Sequence, residues 1–107
     1  MSDLPAGKLV RDRIPEIVWA SGRQPEVLVL TPEQRLGALH DKLLEEAAEL
    51  RAASPDEVLG ELADVHEVLL ALARVHGLTP SDIERAAAEK RSARGGFDGG
   101  LFLRTGG

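Results

Sequence analysis

KLLEEAAELRAASPDEVLGELADVHEV, residues 42–68, reads as two helical segments joined by a stop and restart at Ser54-Pro55. Proline suits the first turn of a new helix and disrupts the interior of an old one, so the two segments become the arms of a hairpin. Glu46 and Glu49 stand three apart on the first arm, and Glu61 and Asp64 three apart on the second, which puts each pair on one helix face. At about 1.5 Å per residue from the turn, Glu49 and Glu46 lie roughly 8 and 13 Å up one arm. Glu61 and Asp64 lie roughly 10 and 14 Å up the other, so four carboxylates meet at matching heights.

Their direction follows from about 100° of rotation per residue. On the second arm Glu61 falls about 60° from Val58, between Leu72 and Val68 and inside the apolar stripe, with Asp64 at its edge beside Val68 and Val75. On the first arm Glu46 borders Leu39 and Leu50, Glu49 lies further round the same flank, and Glu45 and Glu67 point away. Carboxylates gathered at the rim of an apolar seam repel one another and lose hydration, a conflict that a divalent cation removes. An all-oxygen donor set favours a hard ion, Mg²⁺ or Mn²⁺. The alternative is a solvated acidic face with intrahelical pairs such as Lys42 with Glu46. A di-iron bundle would carry Glu-x-x-His pairs, but Gly37, Ala63 and Ala73 stand three before the histidines.

Outward from the hairpin, Thr31-Pro32-Glu33 starts the first arm, with threonine as N-cap, and its stripe is Leu36, Leu39, Leu43, Ala47 and Leu50 up to about Ala53. The second arm runs through Val58, Leu62, Val65, Leu69 and Leu72 until Gly77. Thr79-Pro80, with Asp82 in a capping-box position, opens a third long helix that stops before Gly95-Gly96. Upstream, residues 1–7 read as a loose leader, Lys8–Arg13 sets three cations around Asp12, and Ile14–Ala20 is a short helix closed by Gly22. PEVLVL at 25–30 reads as a strand. The glycine-rich tail, 97–107, holds a second short strand at 101–104 that would pair with Val27–Leu30. Trp19, the sole tryptophan, reads as a core residue, with stacking on a nucleotide base as the alternative. The expected architecture is all-α over one domain, 1–107: a helical hairpin, a third long helix and a small β element. Hairpins from two chains would complete a four-helix bundle along Leu36, Leu43, Leu62, Leu69 and Leu72.

The formal net charge of −5 argues against nucleic acid or an anionic membrane as partner, since both require a basic surface. The absence of cysteine excludes disulfides, thiol catalysis and thiolate metal sites. With no apolar signal segment in MSDLPAGKLVRDR and no run of about 18 apolar residues, the expectation is a soluble cytoplasmic protein.

KLVRDRIPEIV at 8–18, KLLEEAAEL at 42–50, ELADVHEVLLAL at 61–72 and KRSARGGF at 90–97 together resemble the MazG-like branch of the all-α nucleoside triphosphate pyrophosphohydrolases, the group related to phosphoribosyl-ATP pyrophosphohydrolase. The resemblance runs from Lys8 to Leu103. It implies that Glu46, Glu49, Glu61 and Asp64 hold Mg²⁺, and that the metal carries a nucleotide's phosphates for hydrolysis between the α and β positions. Glu45 matches an extra acid that many members place near the metal or the attacking water. Gly60 stands where relatives often carry another acid. Lys90 and Arg94, four apart beside the glycine turn, would neutralise phosphates opposite the metal, with helix-end dipole pairing as the alternative. Lys8, Arg11 and Arg13 form a second candidate phosphate cluster, or salt bridges to Asp12 or Glu16. The expected reaction converts a nucleoside triphosphate to its monophosphate and pyrophosphate, clearing non-standard or surplus nucleotides, in a homodimer or dimer of dimers. The competing expectations are phosphoribosyl-ATP as substrate and a non-catalytic, metal-binding dimerisation module.

Overall fold

The structure, a computed structural model, describes residue 4 and residues 6–106. Among these described residues four helices follow one another: α1 (Ile14–Ala20), α2 (Pro32–Ala52), α3 (Val58–Val75) and α4 (Pro80–Arg94). The chain is all-α, and the expected helices form close to where the caps and prolines place them. Thr31 and Thr79 each close a capping box, the first with Gln34 and the second with Asp82, so the first orphan amides of α2 and α4 are satisfied by side chains. α3 ends where Gly77 takes φ 72°. Leu78 N–H then reaches Ala73 O at 2.8 Å and Gly77 N–H reaches Arg74 O at 3.0 Å, the paired bonds of a Schellman turn.

Ser54 works differently from a plain N-cap. Its single hydroxyl proton is shared between Asp56 at 2.7 Å and Glu57 at 2.8 Å, and the Glu57 carboxylate also accepts its backbone N–H at 3.0 Å. These bonds tie Ser54–Glu57 into a compact turn that reverses the chain, and α3 begins after it. α2 and α3 pack along their length as the hairpin, while α4 touches only α3 among the helices. The packed centre is small: Leu39 from α2 with Val68 and Ala73 from α3, and one buried acid, Glu46.

Three expectations give way. No strand forms among the described residues: 25–30 and 101–104 carry no regular structure and pair with nothing as strands. A strand needs a neighbour to take its amides and carbonyls, and neither segment is laid beside the other. Trp19 is 62% exposed, because α1 packs against no other helix and has no core to offer it. The apolar seam also shifts. Leu36, Leu43 and Leu72 are half-buried inside the hairpin, whereas Leu62 and Leu69 join the 79% exposed Leu59 along an open groove on α3 with Ala63, Val65 and His66.

The chain is open for its size. Its accessible surface is 9417 Å², against about 5,800 Å² for a compact monomer of this mass. Its radius of gyration is 17.7 Å, where a compact chain of this length has about 13 Å. Among the described residues no helix is long and apolar enough to cross a membrane.

Candidate metal centre

The hairpin brings both carboxylate pairs to one place. Carboxylate oxygens of Glu46, Glu61 and Asp64 lie within 4.8 Å of one another, and so do those of Glu45, Glu46 and Glu49. Glu46 belongs to both groups. Helix geometry accounts for this: Glu46 and Glu49 share a face of α2, Glu61 and Asp64 share a face of α3, and antiparallel packing sets the two faces together.

Burial makes Glu46 the unusual member, since only 6% of its surface is exposed. One of its oxygens, Oε1, receives Lys42 Nζ at 3.2 Å. With the carboxylates ionised, the other, Oε2, is buried and accepts no hydrogen bond, and Glu61 Oε2 is in the same condition. A buried carboxylate oxygen without a donor is costly, and here two of them belong to residues whose carboxylates gather with that of Asp64 across the hairpin. A hard cation is the partner such oxygens fit. The site is therefore chemically suited to a divalent metal, with Glu46, Glu49, Glu61 and Asp64 as candidate donors.

The titration of the cluster points the same way. The Glu49 carboxyl is raised above its ordinary value by Glu46, first through a proton the two can share and then through charge. Glu61 is raised by burial first, and then by the charges of Asp64 and Glu46. Partial burial works against the Lys42 ammonium, but its bonds to Glu46 and Glu45 and their charges outweigh this, so its pKa is raised overall. Lys42 also reaches Glu45 Oε1 at 3.3 Å. Glu45, pointed outward by the sequence reading, thus sits half-buried on the flank of the cluster and not apart from it.

The basic candidates separate. Arg13 pairs locally with Glu16 at 2.9 Å. Lys8 is exposed on the segment before α1. Lys90 and Arg94 are exposed on α4 and make no ion pair among the described residues. Arg11 instead reaches across to Asp64 Oδ1 at 2.7 Å. The sequence reading offered Arg11 a partner on its own segment and missed this one. Nothing local signals it, because the two residues are 53 positions apart.

With this geometry in place, comparison with known proteins is decisive on one point. Residues 22–91 match the family described as Phosphoribosyl-ATP pyrophosphohydrolase. The chain belongs to that family. The matched span contains the whole hairpin and all five acids of the cluster, together with Lys90 of α4. The Phosphoribosyl-ATP pyrophosphohydrolase family points to a pyrophosphohydrolase, typically one that depends on a divalent metal, and the acidic groups of the hairpin are suited to hold such an ion. An uncharacterized protein of Mycolicibacterium smegmatis is 56% identical over 46 residues, which are 43% of this chain and 47% of that one. The aligned stretch thus spans about half of that relative's length. No solved structure matches.

Proposed function

We propose that this protein hydrolyses a nucleoside triphosphate to the monophosphate and pyrophosphate, with Mg²⁺ as its metal and surplus or non-standard nucleotides of the cytoplasm as its substrates. The observation that carries this reading is the pair of buried, unpartnered oxygens on Glu46 and Glu61 at the meeting point of both carboxylate pairs. Glu46, Glu49, Glu61 and Asp64 hold the ion. When bound, Mg²⁺ supplies charge neutralisation at the phosphates and lowers the pKa of water at its open positions. Glu45 accepts the proton of the attacking water through the oxygen that Lys42 does not hold. Lys42 keeps Glu45 and Glu46 oriented through its ion pairs to both. Lys90 and Arg94, without acidic partners among the described residues, are free to meet the leaving pyrophosphate.

A screen of canonical and damaged nucleotides for pyrophosphate release, with Mg²⁺ and with Mn²⁺, tests this directly. Phosphoribosyl-ATP belongs in the same screen: its preferential cleavage would replace the substrate assignment and keep the chemistry. Absence of release from every nucleotide would leave the non-catalytic, metal-binding module. Arg94→Ala and Lys90→Ala should each lower kcat/KM by about a hundredfold if they meet phosphate charge in the transition state. Unchanged kinetics in both variants would confine them to a helix-end role.

The working unit we propose is a homodimer, in which the α3 groove of one chain packs on that of a second. The support is the surface excess of the isolated chain together with the exposure of Leu59, Leu62 and Leu69 along that groove. Light scattering at micromolar concentration should give twice the chain mass, and Leu62→Glu with Leu69→Glu should give a monomer. A monomeric wild type would contradict the assembly.

A further inference from the structure

The bond from Arg11 to Asp64 ties the segment before α1 to an acid of the candidate metal centre, and three features set it apart from an ordinary surface pair. First, its acceptor is Asp64, whose oxygens lie within 4.8 Å of those of Glu46 and Glu61. Second, among residues 8–21 it is the side-chain hydrogen bond that reaches the hairpin, since Arg13 and Ser21 bond within their own turn. Third, both members are well exposed, 56% for the arginine side chain and 40% for the aspartate. An exposed pair of this kind is weak enough to be exchanged.

We propose that Arg11 is an exchangeable counter-ion: it occupies Asp64 while the centre holds no metal, and passes to a substrate phosphate when a divalent cation takes Asp64. The second half rests on the reading of the protein as a nucleotide pyrophosphohydrolase. The first half needs only the acids. A guanidinium carries five N–H donors, and Asp64 engages one nitrogen at the 2.7 Å contact. A dication on Glu46, Glu61 and Asp64 places two positive charges beside that nitrogen, so the guanidinium is pushed off as the ion enters. It remains within one side chain's length of the acids. A phosphate carried there offers two oxygens that the planar fork of a freed guanidinium grips with two bonds. Release of Arg11 also removes one tie between the segment bearing α1 and the hairpin, and Trp19, the sole tryptophan and an exposed one, reports that change.

The test measures Mn²⁺ affinity from the free-ion resonance signal, and nucleotide affinity with a non-hydrolysable α,β-methylene triphosphate, in wild type, Arg11→Ala, Arg11→Lys and Arg13→Ala. Arg11→Ala should bind Mn²⁺ more tightly than wild type, by up to about fivefold, the most that an exposed pair holds back. Arg13→Ala removes the same charge from the Glu16 pair and should leave Mn²⁺ affinity unchanged. With metal present, Arg11→Ala should bind the analogue about tenfold more weakly, and Arg11→Lys should keep wild-type Mn²⁺ affinity while losing most of that analogue affinity. Mg²⁺ should shift Trp19 emission in wild type but not in Arg11→Ala. Equal or weaker Mn²⁺ binding by Arg11→Ala overturns the exchange. Tighter Mn²⁺ binding with unchanged analogue affinity overturns the transfer to phosphate. Failure of wild type to bind Mn²⁺ at all would instead sink the metal centre itself, and the exchange with it.

Discussion

Glu46→Gln should lower kcat/KM for pyrophosphate release by at least about a hundredfold while leaving the helices folded. Loss of a residue that merely orients a metal ligand costs about 10- to 100-fold, and Glu46 is placed to be a ligand. It is the residue common to both acidic groups, so its removal breaks the link between the α2 pair and the α3 pair. Glutamine keeps the shape and still offers an acceptor to Lys42 Nζ, which stays close to Glu45 in any case. What disappears is the charge, and with it the unpartnered anionic oxygen that asks for a cation. The metal-free variant should therefore be no less stable than wild type, since one repelling carboxylate has gone from the cluster. Glu49→Gln and Asp64→Asn should follow the same pattern. Circular dichroism and thermal unfolding check the fold, and wild-type turnover in Glu46→Gln at saturating Mg²⁺ would defeat the assignment.

The hairpin was legible because its determinants are local. Thr31-Pro32 and Thr79-Pro80 carry their caps within four residues, Gly77 carries its own turn, and the three-residue spacing of the acids sets their helix face without knowledge of the partner arm. The convergence of the four acids needed one further assumption, a tight turn at Ser54, and Ser54–Glu57 supplies it. What the sequence did not reveal depends on distant or absent neighbours. Arg11 on Asp64 joins segments that no periodicity connects. The segments at 25–30 and 101–104 have apolar strand-like composition, yet composition says nothing about which edge would accept them, and in the isolated chain neither forms a strand. Phe97, 99% exposed, and the open groove of α3 fail as core for the same reason: an apolar side chain marks surface to be covered and does not name what covers it.

Thermal stability should depend on pH and on Mg²⁺ together, with the largest gain from metal above the carboxylate range. The native pKa values of Glu49 and Glu61 lie above the ordinary 4.5, so over that interval the folded chain binds more protons than the unfolded chain. Stability of the metal-free protein therefore falls as pH rises from the ordinary value through the raised native ones, and stays low beyond them. Asp56 and Glu57 act oppositely but elsewhere. Their bonds to Ser54 hold them below the ordinary values of 3.8 and 4.5, so their contribution is complete above that range and is lost only on stronger acidification. The raised Lys42 contributes stability that is full below 10.5 and lost only above it, outside the interval in question. Mg²⁺ binds the ionised cluster of the folded chain, and at about 100 times its dissociation constant adds about 2.7 kcal/mol. For a domain of about 100 residues that is a rise of about 10 to 20 °C in the unfolding midpoint. Melting curves at pH 5 and pH 7.5, in chelator and in Mg²⁺, should thus show a lower metal-free midpoint at pH 7.5 and a larger Mg²⁺ shift there, with Glu61→Gln losing most of the Mg²⁺ shift and its own part of the pH effect, while the part from Glu49 beside Glu46 remains. An Mg²⁺ shift of equal size at the two pH values, or one retained in Glu61→Gln, would place the ion away from the hairpin acids.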